Sequence, residues 1–437
     1  MDEPALTRNP ISIAGAAITT ASAVAFIVYL LLDSFGWIVG PYGGLLGYLL
    51  APAVFLFGLL LIPFGMWWEG RRRKRGKGPW KWPAIDVGKK RTRQVIVAVA
   101  VLTIVNIGLV ALASVGMVHY TESNQFCGQV CHTPMTPQFT AHALSPHARV
   151  DCVSCHVSPG ASGFMAAKMN GTRQLFHAMR GTFERPIPEP IGRIPMAVDT
   201  CANCHTPGRP ERDLVRSIVS YSDDEKNTEN VTSMTMRMRA NHWHARADVL
   251  VEYIATDSTR ETIPYVRVTA GGQVTEYFAE GVTAPPSGAV VRMDCLDCHN
   301  RPAHTFAPSP DRVVDAAIAV GGASRDLPFV RREMVAALKV DYASHVAADT
   351  GIAKHFGDFY RSASAQQVPE VQRAISSAQR LYRQHVFPEM KVTWGTYLSK
   401  LGHVDSPGCF RCHDDSHKTR DGKAAVRQDC ELCHKGQ

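Results

Sequence analysis

The chain has 437 residues, 45% of them hydrophobic, and a formal net charge of +8. That charge is not a nucleic-acid footprint: 11 Lys and Arg fall in residues 70–93 beside a single acid, Asp86, and the rest of the chain carries 36 basic against 38 acidic residues. Composition instead divides the chain into an apolar first part and a more polar remainder that holds all 12 cysteines.

Residues 11–32 carry no charge, residues 34–68 carry none and are most apolar over 45–64, and residues 94–118 carry none. A membrane-crossing helix needs about 20 apolar residues, so three spans are expected. Gly40, Gly43, Gly44 and Gly47 stand at spacings that suit either close helix packing or a glycine-rich turn. The loop between the second and third spans opens with RRRKR at Arg71–Arg75, whereas DSFGWIVGPYGG, between the first and second, has no Lys or Arg. Positive charge stays in the cytoplasm, so the basic loop and the N-terminus are expected there, and everything after Val118 outside. The first span is longer than a signal-peptide core and lacks a clear small-residue cleavage site, so it is expected to be retained.

Beyond the membrane, RPIPEPIGRIP (185–195) reads as an extended proline-rich linker. The stretch VEYIATDSTRETIPYVRVTAGGQVTEYF alternates as strands do, with a hairpin turn at Gly271-Gly272. Helical spacing of apolar residues appears over 311–320, 328–348 and 371–386. The expected organisation is a two-span hairpin (1–94), a third transmembrane anchor (95–118), a first exported region (119–210), a β-rich insertion (211–290) and a C-terminal region (291–437).

Five cysteine pairs fit C-x-x-C-H: Cys152/Cys155 with His156, Cys201/Cys204 with His205, Cys295/Cys298 with His299, Cys409/Cys412 with His413, and Cys430/Cys433 with His434. This spacing supplies two thiols for the haem vinyl groups and a histidine placed to reach the iron. The remaining two, Cys127 and Cys131, are followed by His132 and differ only by one extra spacer residue. A longer loop between the thiols leaves the Cys-His step unchanged, so six covalently bound haem c groups are expected. Zinc would not require His after every second Cys, and disulfides between cysteines so close would staple almost nothing. Covalent haem attachment takes place on the export side in bacteria, in agreement with the charge pattern. Porphyrins also reduce the need for an ordinary core, so the fold expected is a membrane-anchored multihaem cytochrome: three transmembrane α-helices and a mostly α and irregular exported haem domain with a small β insertion.

Of 18 histidines, 12 lie outside the motifs and are available as second axial ligands, with Met135 a further candidate. Bis-histidine ligation fills the iron and suits electron carriage.

The stretch SPHARVDCVSCHVSPGASGFMAAKMNGTRQL (Ser145 to Leu175) resembles the NapC/NirT family of membrane-anchored multihaem cytochromes. The likeness runs over roughly 95–205, and HWH at 242–244, CLDCHNRPAHTF and GHVDSPGCFRCHDDSH resemble larger, many-haem members. Residues 1–94 match nothing in the family, which usually has one anchor. The resemblance implies oxidation of membrane quinol, here a menaquinol, with electrons passed to an exported redox partner on the periplasmic side of the inner membrane. It implies distal ligands at His147, His304, His403 and His417, with one of His242 or His244, and Met135 for the first haem. Lys168 matches the family lysine at the quinol site; the carboxylate that usually accompanies it has no clean match between His156 and Phe183, and Glu122 or Glu184 are the candidates to substitute for it. His119, His142, His177, His345, His355 and His385 are left as ordinary histidines. The alternative is a haem-wire subunit that docks to a larger membrane complex through its extra spans and has no quinol site of its own. A catalytic reductase is disfavoured, because no motif replaces its histidine by lysine.

Overall fold

In lipid only a helix satisfies every backbone group within one segment, and the charge-free runs fold accordingly. The computed structural model describes residues 6–7, 9–34, 51–76, 88–130, 132–158, 160–189, 200–205 and 212–436. It divides into two compact units, Met1–Val130 and Cys131–Gln437, each taken by itself.

The first unit holds α1 (Pro10–Ser34), α2 (Ala51–Lys74) and α3 (Lys90–Glu122), all long and apolar enough to cross a membrane. α1 and α2 meet along a seam of small residues. A Cβ on Gly58 would stand 2.6 Å from Thr19 Oγ1, one on Gly65 2.5 Å from Ser12 Oγ, and one on Gly15 2.7 Å from the Gly58 carbonyl oxygen. Ser12 Oγ donates across the seam to the Ile62 carbonyl at 2.9 Å. Van der Waals contact between closely approaching backbones is the main attraction available to helices in lipid. The seam therefore uses Gly15, Gly58 and Gly65; the glycines at 40, 43, 44 and 47 lie outside the described residues. α3 keeps Ile104, Ile107 and Leu112 outward, as suits a surface solvated by acyl chains.

The second unit begins with α4 (His132–Ala143), α5 (Cys152–His156) and α6 (Gly160–Arg180). Residues 190–195 of the proline-rich stretch lie outside the described residues. Strands β1 (Leu214–Tyr221) and β2 (Glu229–Met236) pair antiparallel from Leu214↔Met236 to Tyr221↔Glu229. A short helix, α7 (Met238–Asn241), and a 3-10 turn (Trp243–Ala245) lead into β3 (Val249–Ile254), β4 (Tyr265–Ala270), β5 (Gln273–Phe278) and β6 (Val290–Arg292). These form an antiparallel sheet in the order β5-β4-β3-β6. The β4–β5 turn takes Gly271 and Gly272 at φ of 56° and 79°, the two positive values that a type I′ hairpin needs. Strand alternation sends Val249, Val251 and Tyr253 to one apolar cluster and Ile254, Tyr265 and Phe278 to another.

Four helices follow: α8 (Pro310–Ala319), α9 (Val330–Leu338), α10 (His345–Phe359) and α11 (Val368–His385). They enclose a conventional core in which Leu327, Met334, Leu338, Ile352, Phe356 and Tyr382 are fully buried. This core lies beside the attachment motifs expected to be packed by porphyrin. The helix expected over 328–348 is two helices, because Ser344 ends the break by accepting the Ala347 N–H as an N-cap. The last elements are α12 (Cys430–Cys433) and β7 (His434–Gly436). β7 pairs with β2, so the first sheet has the order β1-β2-β7.

Candidate haem centres

The five regular C-x-x-C-H motifs each fold as a single helical turn: α5, Cys201–Asn203, Cys295–Asp297, Gly408–Arg411 and α12. Within them the His205, His299 and His413 N–H groups donate to the carbonyl of their own first cysteine at 2.8, 2.7 and 3.0 Å. Asp294 and Asp429, each just ahead of a motif, cap the turn by accepting the N–H of Leu296 and Glu431. None of the eleven described cysteines is in a disulfide.

Each of the five motif histidines faces one further imidazole. Ring centroids are 6.1 Å apart for His156 and His304, 6.0 Å for His205 and His147, 6.2 Å for His299 and His242, 6.0 Å for His413 and His244, and 6.3 Å for His434 and His403. An imidazole nitrogen sits about 2.0–2.1 Å from a first-row metal, and the ring centre roughly 1.1 Å behind it. Two imidazoles on opposite faces of one iron would have centroids about 6.2 Å apart, and the spacings of these pairs are compatible with that group; His142 stands 6.2 Å from His304 as well, but its Nε2 is bonded to the Val150 carbonyl. Among the described residues no three His, Cys, Asp or Glu side chains converge as a zinc site requires.

Hydrogen bonds orient several of these rings. His147 Nδ1 bonds to the Pro302 carbonyl at 2.8 Å, His304 Nδ1 to Gln138 at 3.1 Å, and His413 Nδ1 to Arg427 at 3.0 Å. A ring that donates from Nδ1 presents Nε2 as a free lone pair, the form a metal ligand needs. Burial pushes His304 down to about 4 and lowers His156 and His244 as well, which favours neutral imidazole.

The resemblance offered one of His242 and His244; the structure faces each toward a different motif. It treats His417 otherwise: buried, the ring has its Nδ1 2.8 Å from Asp414 Oδ1 and its Nε2 2.7 Å from the Ile263 carbonyl, so both nitrogens are engaged by protein. At the first motif, Cys131 and the side chain of His132 lie outside the described residues; Cys127 is in the first unit, and Met135 stands one turn along α4 from position 132. Lys168 lies on α6 with its Nζ 4.8 Å from the centre of the Phe164 ring. Beyond it an open groove of about 770 Å³ runs past Met169, Thr172, Arg173, Phe176, His177, Arg180 and Thr182. Glu122 ends α3 and Glu184 is exposed after α6. The remaining histidines have protein partners: His142 with the Val150 carbonyl, His177 with Thr182, His345 with the Val386 carbonyl, His355 with Glu333, and His385 stacked near Trp394. His119 lines a small cleft with Ser114, Val115 and Val118.

Sequence reasoning missed the bonds that join one motif to the next. Arg237 N and Asn241 Nδ2, just ahead of His242, donate to the Cys433 carbonyl at 2.8 and 3.2 Å. The sulfurs are neighbours in chain order too. Besides burial, Cys155 is pushed up by Cys201, Cys152 and Cys204; Cys295 by Cys201; Cys298 and Cys433 by Cys409. These influences place sulfurs of successive motifs near one another, and thioether formation would end the titration itself.

Three membrane-length helices and a run of cysteine–histidine turns with paired imidazoles define a membrane-anchored multihaem cytochrome of c type. The chain belongs to the NapC/NirT cytochrome c family, whose N-terminal region matches residues 89–188. It is 33% identical over 447 aligned positions, spanning 98% of this chain and 87% of the relative, to the cytochrome c-type protein ImcH of Geobacter sulfurreducens. No solved structure matches the chain.

Proposed function

We propose that the chain is a hexahaem quinol dehydrogenase of the inner membrane, with its haem domain on the periplasmic side, that passes electrons to an exported redox protein. The observation that carries this reading is the set of five imidazole pairs at 6.0–6.3 Å. Bound haem supplies one-electron chemistry, which lets the two electrons of a quinol be taken singly. The ligand set favoured by the rings is His156/His304, His205/His147, His299/His242, His413/His244 and His434/His403, with His417 left out. Haems held at these five sites by two histidines each would suit electron carriage. For the first site Met135, one turn along α4 from position 132, would be the candidate second ligand.

Quinol oxidation also releases two protons. On this reading Lys168 donates a hydrogen bond to a quinol oxygen and stabilises negative charge as its proton leaves, while the apolar side chains along the neighbouring groove hold the ring. The test is anaerobic mixing of the oxidised protein in nanodiscs with a menaquinol analogue, following the haem bands. Lys168→Met should slow reduction at least tenfold while reduction by dithionite stays unchanged. An unchanged rate removes Lys168 from the site. A native protein that quinol does not reduce, yet dithionite does, would leave a haem-wire subunit serving a larger complex.

A further inference from the structure

The fifth motif reads Cys409-Phe410-Arg411-Cys412-His413, and its second spacer residue does not stay within its own turn. Arg411 is 8% exposed. Its Nε donates to the Gly408 carbonyl at 2.8 Å, its Nη1 to the Arg260 carbonyl at 2.8 Å, and its Nη2 to the carbonyl of Asp297. Asp297 is the second spacer residue of the fourth motif, Cys295-Leu296-Asp297-Cys298. One side chain thus joins the attachment turns of two successive sites.

The three acceptors are neutral carbonyls, and the nearby carboxylate is already used. Asp297 is itself buried and accepts from Tyr253 Oη, from Arg260 Nη1 at 3.2 Å and from the Asp294 N–H at 2.8 Å. Among the described residues Arg260 is ion-paired with Asp297 and Lys400 with Glu261 at 3.1 Å, whereas the hydrogen-bond acceptors of Arg411 are all carbonyls. The same cation touches both turns, through the Gly408 carbonyl just ahead of the fifth motif and the Asp297 carbonyl within the fourth. A neutral donor would brace the turns without the desolvation cost of a buried charge. A cation between two redox sites has a second effect, because an arriving electron is a negative charge and is favoured beside it.

We propose that Arg411 is a positioning residue shared by the fourth and fifth haem sites: its fork fixes the two attachment turns to each other, and its charge raises the reduction potentials of both. The inference rests on the haem reading above.

The test is a spectropotentiometric titration of the full-length, haem-loaded protein in nanodiscs. Arg411→Gln keeps a donor for the carbonyls and removes the charge. It should lower two of the six one-electron components, each by about tenfold in its reduction equilibrium, or ~59 mV for one electron. Arg411→Lys keeps the charge and should hold both components near their native positions. The proposal is overturned if the Gln variant shifts no component, or shifts all six alike. Should only the Lys variant accumulate, a tenfold fall in the two components there would overturn it equally. His244→Ala is the companion measurement: it should open the fifth iron to carbon monoxide and so identify that component. If no iron opens, the ligand reading fails; if one opens and the Gln variant changes nothing, the Arg411 proposal alone fails.

Discussion

The ring of Phe410 lies over the ring of His403, with centroids 4.4 Å apart and planes 15° from parallel. Phe410 is a spacer residue of the fifth motif, whereas His403 faces His434 of the sixth. Such stacking contributes about 0.5–1.5 kcal/mol, and little else covers His403, which is exposed. Phe410→Ala should therefore loosen the distal ligand of the neighbouring site and not of its own. Carbon monoxide difference spectra should show partial binding at one iron, with the signature that His403→Ala gives in full. An unaltered spectrum would mean that the stacking does not hold the ligand.

The two histidines of the HWH tripeptide should act on different irons. His242→Ala and His244→Ala are each expected to convert one low-spin haem to a form that binds carbon monoxide, and the double variant two. His417→Ala should open none. It should instead cost about 1–3 kcal/mol of stability, because removal of the buried ring leaves the Ile263 carbonyl without its partner. Low-temperature electron paramagnetic resonance would count the altered irons directly.

The helical lobe should weaken in acid through His385. This residue is buried, its Nδ1 has no hydrogen-bond partner among the described residues, and burial pushes it down to about 4. The unfolded chain would take up a proton near pH 6.5 that the native ring refuses. Its contribution is therefore fully present above about 6.5 and is lost as pH falls toward 4, by up to roughly 3 kcal/mol. Hydrogen exchange in α8–α11, corrected for intrinsic rates, should rise between pH 7 and 4.5 in the native protein and much less in His385→Leu.

The glycine seam between α1 and α2 should not tolerate a branched side chain. Gly58→Val would place methyl groups where the backbone of Thr19 lies 2.8 Å from an ideal Cβ, and overpacking of this kind costs about 1–3 kcal/mol. Thermal stability of the hairpin in detergent should fall while haem content stays at the native value. Unchanged stability would show that the two helices part without penalty.

The membrane spans could be read from the chain because a bilayer imposes length and polarity on a segment whatever its partners. The cysteine–histidine motifs could be read because covalent attachment imposes spacing. Distal histidines carry no such local mark. Resemblance pointed to His147, His304 and His403, each of which stands about 6 Å from a motif ring, yet it could not say that His242 and His244 point to different motifs. That depends on a 3-10 turn (Trp243–Ala245) pinned by contacts far away in sequence. His417 illustrates the converse: three residues after Asp414 and within reach of Ile263, its ring finds protein partners that no spacing rule announces. The helical core around Phe356 was less legible for a different reason, since the breaks at 339–344 disguised two helices as one.

The pairing of β7 with β2 bears on the order in which the molecule can be completed. Met236 is matched with His434, and Arg237 and Asn241 bond to Cys433, so the segment that carries HWH is anchored by residues made almost two hundred positions later. A chain made from its first residue to its last would expose His242 and His244 long before that anchor arrives. Until then the middle of the haem domain lacks its clasp, and an early stop ahead of Cys430 would disorder sites whose own cysteines and histidines are all present. The integrity of this part of the domain would be decided only once the segment around Cys433 and His434 is in place.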